Sequence, residues 1–179
     1  DLVVGMSFGG MIAQHFAADH ADLFDHIVIA SAAHRVSGAG KRVDFRYADL
    51  VSQGRNRAAM AALAEAMFPS RIVRPLGAAF MWLAGPSLLG STDQVFRRDV
   101  MIEAEAEFDH DALDSLGRIQ VPVLVLCGDR DLYFPLEYVT EMAGMIPRAR
   151  LKVYPGRGHD ILSYRPIARD ISEFVERGG

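Results

Sequence analysis

Four short and mostly apolar runs recur along the chain, at residues 2–4, 27–30, 121–127 and 150–154. Segments with helical spacing separate them. Continuous apolar strands that alternate with helices are typical of a parallel sheet that is covered by helices on both faces. The pattern therefore predicts an α/β fold built on a mostly parallel sheet of four strands.

The spacing of apolar residues between these runs predicts the helices. One helix is predicted from residue 9 to about residue 20, directly after the first run. Pro135 is expected at the first position of another helix, where an N–H has no helical partner, and Pro147 ends that helix. The last helix begins near Pro166 and places apolar residues at i, i+4 and i+7, which is one helical face.

Residues 34–118 follow a different pattern, because they show helical spacing but no strand-like run. The helices predicted here occupy segments 55–68, 71–85 and 91–108. Ser91 or Thr92 is expected to cap the last of them. A helical insert of this length between two strands is interpreted as a cap. The chain is thus divided into an α/β core, residues 1–33 and 119–179, and a helical cap.

Composition and charge narrow the class of protein. The 179 residues carry a formal net charge of −4, so no basic surface for nucleic acid is expected. The single cysteine, Cys127, excludes an internal disulfide and a site of several cysteines, and is interpreted as a small buried apolar residue. The longest uncharged stretch, 75–92, is interrupted by Gly77, Gly85 and Pro86, so no membrane span is expected. With no signal-peptide pattern, a cytoplasmic protein is expected.

The segment GMSFGG places Ser7 directly after an apolar strand and directly before a helix. A chain that turns from strand to helix at one residue must bend sharply. The flanking Gly5 and Gly9 are expected to remove side chains that would clash in that bend. Ser7 should then project at the carboxyl end of the sheet. The backbone N–H of Phe8 would point at a developing oxyanion there, helped by the helix dipole.

A serine hydroxyl needs a base, and the base needs a group that orients it. Both are expected on loops after later strands, with the acid before the histidine. His159, in the segment YPGRGHD after the fourth run, is the candidate base. Asp131, in CGDRDLYFP after the third run, is the candidate orienting acid. Asp129 is the alternative acid, although its position nearer to the strand favours a role in the turn.

Together these segments resemble the α/β-hydrolase superfamily. GMSFGGMIAQ is similar to its nucleophile elbow, GDRDLYFP to its acid loop and GRGH to its histidine loop. The resemblance extends from residue 1 to about residue 175 and is weakest across the predicted cap. It implies a triad of Ser7, His159 and Asp131, with no metal or organic cofactor.

MIAQ after the elbow and IASAA at the end of the second strand look similar to 3-oxoadipate enol-lactonases and related esterases. This closer resemblance implies a serine hydrolase of small carboxylic esters or lactones, with residues 34–118 as its helical cap. Two alternatives stay open. The same triad can serve an acyltransferase, and the chain can be a catalytically inactive fragment that self-associates.

The resemblance covers only part of the superfamily fold. The four runs correspond to superfamily strands five to eight, and the first four strands have no counterpart. The loop that supplies a second oxyanion donor has no counterpart either. The chain is therefore expected to be the carboxyl-terminal part of an α/β hydrolase. Its first strand would leave an apolar edge unpaired, so a homo-oligomer or a partner chain is expected at that edge.

Further residues are candidates for contact with the oxyanion or the substrate: Phe8, Met6, Trp82 and Phe134. Phe8 adjoins the nucleophile, so its side chain is a candidate pocket wall. Trp82 belongs to the apolar stretch 78–89, which either lines an acyl pocket or packs within the cap. A solvated helix face is expected for the nearby acidic residues Glu103, Glu105 and Glu107.

Overall fold

The computed structural model describes residues 1–88, 93–161, 163–176 and 178. The chain forms two compact units. The first contains Asp1–Val36 and His110–Gly179, and the second contains Ser37–Asp109. The second unit is shorter at both ends than the cap expected from the sequence. That it acts as a cap stays a prediction.

The first unit is built on a sheet of four parallel strands in the order β1-β2-β3-β4. The strands are β1 (Leu2–Met6), β2 (His26–Ala30), β3 (Val123–Gly128) and β4 (Ala149–Tyr154). The predicted parallel sheet is therefore confirmed, with one strand at each apolar run. β3 begins only after Pro122, because proline has no N–H to donate to a neighbouring strand.

The described residues contain eight α-helices. In chain order they are α1 (Phe8–Asp19), α2 (Gly38–Ser52), α3 (Asn56–Ala62), α4 (Ala64–Met67), α5 (Arg74–Leu88), α6 (Gln94–Asp109), α7 (Leu136–Met145) and α8 (Pro166–Glu176). Pro135 precedes α7 instead of opening it, because its ψ of 147° is extended. None of the helices in the described ranges has both the length and the apolar character needed to cross a membrane.

Side chains on both faces of the central strands β2 and β3 are buried, which explains why these two runs are apolar throughout. Val28 of β2 and Leu124 of β3 pack in one cluster with Ile167 and Phe174 of α8. Ile29, between two members of that cluster in β2, is also fully buried and points to the opposite face. α1 contacts β1 and β2, and α7 contacts β3 and β4. The buried central strands therefore hold the loops at the carboxyl end of the sheet in place.

The second unit contains α2–α6, and its described residues include no strand. The sequence pattern did not predict α2. The segment predicted as one helix over 55–68 is divided at Leu63 into α3 and α4. α5 begins at Arg74, so Pro75 falls in its first turn, where proline is tolerated. The predicted caps of α6, Ser91 and Thr92, lie outside the described residues.

One glutamate of the expected solvated face of α6 is instead half-buried. Glu107 faces Asp44 of α2, and their carboxyl groups share a hydrogen bond. Burial, followed by the charge of Asp44, raises the pKa of Glu107 to about 9. The expectation of a solvated side chain is therefore wrong for Glu107. The reason is that α2, which the pattern did not predict, packs beside α6.

β1 forms one edge of the described sheet, since β2 is its neighbour on one side only. Its side chains Leu2 and Val4 are 39% and 49% exposed. An edge strand that shows unpaired backbone groups and apolar side chains is a ready surface for pairing with another chain.

Candidate active site

Ser7 occupies the sharp turn between β1 and α1. Its φ of 52° and ψ of −123° lie outside the helix and strand regions, and a positive φ is strained for a residue other than glycine. Hydrogen bonds hold the turn on both sides. Ser7 N donates to Ala30 O at 3.0 Å, and Met11 N donates to Ser7 O at 3.0 Å. The serine is thus fixed at the end of β1, beside the N-terminus of α1.

Two glycines are required at this turn, but only one of them is predicted by the motif. A Cβ on Gly5 would lie 2.4 Å from Gly9 O and 2.8 Å from Ala13 Cβ. A Cβ on Gly10 would lie 2.6 Å from Ala32 Cβ. A Cβ on Gly9, by contrast, would meet no described atom within 4 Å. The expected clash at Gly9 is therefore absent, and the close contact falls on Gly10, where α1 meets the segment after β2.

The structure brings Ser7, His159 and Asp131 together at the carboxyl end of the sheet. Ser7 Oγ lies 2.9 Å from His159 Nε2, and His159 Nδ1 lies 2.9 Å from Asp131 Oδ2. A carboxylate can only accept a hydrogen bond, so Nδ1 carries the imidazole proton and donates it. Nε2 can then accept the hydrogen bond of the serine hydroxyl. The three loops meet because parallel strands end at the same edge of a sheet.

The Asp131 carboxylate is held by the loop that carries it. Its Oδ1 accepts hydrogen bonds from Tyr133 N at 2.9 Å and Phe134 N at 3.2 Å, which leaves Oδ2 for the histidine. The rings of Tyr133 and Phe134 pack beside the imidazole of His159, with centroids 4.7 Å and 5.8 Å away. The Asp131 side chain is 0% exposed and that of His159 is 6% exposed. Such shielding from water strengthens the hydrogen bond between them.

Hydrogen bonds join the acid loop to the histidine loop. Gly156 N donates to Asp129 Oδ1 at 2.6 Å, and Arg130 N donates to Arg157 O at 2.8 Å. A Cβ on Gly128 would lie 2.3 Å from Arg157 O, so this close approach requires glycine. The alternative acid, Asp129, is therefore engaged by the turn, whereas the carboxylate at His159 Nδ1 is that of Asp131.

The described residues offer neither a reactive thiol nor a cluster of metal ligands. Cys127 is fully buried in β3. Burial, followed by the charges of Asp131 and Asp129, raises the pKa of its thiol to about 12, so the thiol is neutral at physiological pH. No group of three or more histidine, cysteine or carboxylate side chains in the described ranges could hold a metal ion.

The other predicted contact residues have different surroundings. Phe8 is half-buried and is the first residue of α1, where its N–H has no acceptor within the helix. Met6 packs beside the core cluster of β2, β3 and α8, and Phe134 is buried beside the candidate base. Trp82 belongs to the second unit and is exposed, and its stretch is described only as far as residue 88. Contacts of these residues with a substrate stay predictions.

Sequence reasoning missed several residues that shape the site: Gly10, Ser31, Gly128 and Tyr133. The doubled glycine at residues 9–10 was a signal for Gly10. Tyr133 stands two positions after the candidate acid, a spacing at which an aspartate commonly accepts a backbone hydrogen bond. Ser31 leaves no local signal, because its hydroxyl donates to the backbone carbonyl of His159, 128 residues away.

The arrangement can perform nucleophilic chemistry. A hydroxyl beside an unprotonated imidazole nitrogen can lose its proton as the oxygen attacks an electrophile. The carboxylate on the other side of the ring stabilises the imidazolium that results. A helix N-terminus beside the nucleophile favours the negative charge that develops on the electrophile.

Comparison with known sequences extends these observations. The sequence profile of the alpha/beta hydrolase fold matches residues 2–166. A pimeloyl-[acyl-carrier protein] methyl ester esterase of Chromobacterium violaceum is 27% identical over 188 residues. That alignment covers 97% of this chain and 69% of the esterase.

Two solved structures are similar in fold. MGS-M2, an α/β hydrolase from a Medee basin deep-sea metagenome library, has a TM-score of 0.79 at 20% identity. The match covers 98% of this chain and 63% of the MGS-M2 chain. The enol-lactonase from Burkholderia xenovorans LB400 has a TM-score of 0.71 at 22% identity. That match covers 97% of this chain and 64% of the enol-lactonase chain. The chain thus spans less than two thirds of either structure. Because the profile matches nearly the whole chain, the chain belongs to the α/β-hydrolase fold family, as its motifs predict.

Proposed function

We propose that this chain carries the catalytic triad of a serine hydrolase that acts on small carboxylic esters or lactones. The observation that supports the proposal most directly is the hydrogen-bonded series Ser7–His159–Asp131, with both distances at 2.9 Å. The three side chains stand on three different loops. Their alignment therefore depends on the whole sheet and is not a by-product of local sequence.

Acylation begins when Ser7 Oγ attacks the carbonyl carbon of the substrate. His159 Nε2 takes the hydroxyl proton, and the resulting imidazolium keeps its Nδ1 hydrogen bond to Asp131. The carbonyl oxygen becomes an oxyanion, to which Phe8 N–H at the start of α1 donates a hydrogen bond. His159 then gives its proton to the leaving alkoxide as the ester C–O bond breaks.

Deacylation repeats the same proton transfers with water as the nucleophile. His159 Nε2 takes a proton from the water as its oxygen attacks the acyl carbon. The bond to Ser7 Oγ breaks, and His159 returns the proton to the serine. An ester thus yields an acid and an alcohol, and a lactone yields one hydroxy acid.

The names of two similar proteins favour this substrate class. The Chromobacterium violaceum relative is a methyl ester esterase, and the Burkholderia xenovorans structure is an enol-lactonase. Both names describe carboxylic esters, open in one case and cyclic in the other. The half-buried Phe8 beside the nucleophile supports an apolar group on the substrate.

A second candidate function is that of an assembling module without catalysis. The observation that favours it is the exposed edge of β1, with Leu2 39% and Val4 49% exposed. This alternative expects a stable oligomer, or a complex with a partner chain at β1, and no chemistry at Ser7.

Labelling with a fluorophosphonate, followed by intact-mass spectrometry, tests the proposal. One adduct is expected on the unsubstituted chain and none on Ser7→Ala. Asp131→Asn should slow labelling by about 10⁴-fold, because an amide cannot hold the required imidazole tautomer. Asp129→Asn is the matched control. Its amide oxygen can still accept from Gly156 N, so the rate should stay near that of the unsubstituted chain.

Labelling that persists in Ser7→Ala would contradict the proposal. An absence of labelling on a chain that circular dichroism shows to be folded would favour the assembling module.

A further inference from the structure

Ser31 combines full burial with a strained backbone. It directly follows β2, is 0% exposed, and has a φ of 44°. This left-handed region favours glycine and tolerates asparagine and aspartate, whereas serine is uncommon there. Backbone strain of this kind persists where surrounding structure over-determines it, and it clusters at functional sites. We therefore expect the side chain of Ser31 to make a contact that offsets the strain.

The Ser31 hydroxyl has a specific partner. Its Oγ donates a hydrogen bond to the backbone carbonyl of His159 at 2.8 Å, and the contact is buried. The same carbonyl accepts from Ile161 N at 3.0 Å. Ser31 N donates to Leu126 O at 2.8 Å, which fixes the residue between β2 and β3. Glycine would suit the backbone better, but it could not make the bond to the histidine loop.

The end of β2 connects the nucleophile to the base. Ala30 O accepts the hydrogen bond of Ser7 N at 3.0 Å, and the next residue, Ser31, binds the backbone of His159. Two neighbouring residues thus fix the backbones on both sides of the Ser7–His159 contact. The distance between Oγ and Nε2 depends on both of them.

We propose that Ser31 is a positioning residue for the candidate base. Its hydroxyl holds the backbone of His159 so that the imidazole reaches Ser7 Oγ and Asp131 Oδ2 at once. The catalytic consequence rests on the proposed hydrolase function. The effect on the histidine ring does not, since it is a property of the folded chain.

Two substitutions separate the hydroxyl from the backbone strain. Ser31→Gly removes the hydroxyl and relieves the strain, whereas Ser31→Ala removes the hydroxyl and keeps the strain. Both should slow fluorophosphonate labelling of Ser7 by about 10- to 100-fold, since a misplacement of about 1 Å can cost about 10² in rate. The melting temperature should fall further in Ser31→Ala than in Ser31→Gly.

Proton NMR of histidine-labelled protein follows the ring without needing activity. The Nδ1 proton of His159, identified by its loss in His159→Gln, is expected downfield and protected in the unsubstituted chain. In Ser31→Gly and Ser31→Ala it should exchange faster with water. Ser172→Ala is the matched control, because it removes a serine hydroxyl that donates to Ala168 O at 3.1 Å on the exposed face of α8. It should change neither readout.

The outcomes are distinguishable. An unchanged His159 proton and unchanged labelling in both Ser31 variants would overturn the proposal. A loss of labelling that occurs only in Ser31→Ala, together with a lower melting temperature, would also overturn the proposal. That pattern indicates that the substitution destabilises the fold. An absence of the protected proton in the unsubstituted chain also overturns the proposal. If neither the unsubstituted chain nor any variant is labelled but the His159 proton responds to substitution of Ser31, positioning stands and the hydrolase proposal fails.

Discussion

Strain in the described part of the chain is concentrated at the ends of two adjacent strands. Ser7 and Ser31 are its two non-glycine residues with positive φ, at 52° and 44°. Each directly follows a strand, and each hydroxyl contacts His159, one at the imidazole and the other at the backbone carbonyl. The contacts that hold these strained conformations are therefore the contacts that assemble the candidate site.

At the same scale, the glycines of the elbow should respond differently to alanine. Gly5→Ala is expected to lower the free energy of unfolding by about 1–3 kcal/mol, because the new methyl group overpacks the turn. The added Cβ would lie only 2.4 Å from Gly9 O. Gly9→Ala should be neutral or stabilise the chain by about 0.5–1 kcal/mol, since it replaces an unhindered helical glycine. Urea unfolding of the two variants measures the difference, and equal losses would contradict it.

The residues of the candidate triad were accessible to sequence reasoning because each stands in a local segment with a recognisable pattern. The elbow lies between an apolar run and a helix, and the acid and the histidine each follow a strand. Ser31 was not accessible. Its role depends on a partner 128 residues away and on a backbone angle that its neighbours do not specify.

At the scale of elements, strands were easier to predict than the helices of the second unit. A buried parallel strand is apolar throughout and short, so its pattern is complete within a few residues. The helices of the second unit pack mainly on one another, as α3 does on α5 and α2 on α6. Their boundaries depend on these partners, which explains why α2 was missed and why the segment 55–68 is broken at Leu63.

Glu107 of α6 should make stability fall as the pH rises. Its folded pKa of about 9 lies above its ordinary value of 4.5, so the folded chain keeps a proton that the unfolded chain releases. This contribution to the free energy of unfolding is complete below pH 4.5, the ordinary pKa. It is lost as the pH rises through the folded pKa of about 9. Glu107→Gln removes the titration and keeps a hydrogen-bond donor for Asp44. Its melting temperature should fall less steeply with pH over that window.

Glu105→Gln is the matched control for this prediction, because Glu105 lies on the exposed side of the same helix. Its melting temperature should follow that of the unsubstituted chain across the same pH values. If the melting temperature changes equally with pH in Glu107→Gln and in the unsubstituted chain, the Asp44–Glu107 contact does not carry the proton.

At the scale of the whole molecule, self-association at β1, one edge of the described sheet, stays a prediction. If the chain pairs through β1, Val4→Lys should shift it toward monomer, because a charged side chain on an edge strand opposes pairing with another chain. Val4 is 49% exposed there. Val175→Lys, at a residue of α8 that is 37% exposed, makes the same change elsewhere and should leave the measured mass unchanged. Size-exclusion chromatography with light scattering measures both. A monodisperse monomer of the unsubstituted chain would contradict self-association at β1.

The sequence by itself determined the four parallel strands, the helices that cover them, and the order of serine, acid and histidine on the strand ends. These are properties of neighbouring positions, because apolar periodicity and loop motifs are complete within a few residues. Tertiary structure alone decided three other features: the close contact at Gly10, the half-buried Glu107, and the bond from Ser31 to the histidine loop. Each joins atoms from separate elements, and those atoms meet only when the elements pack.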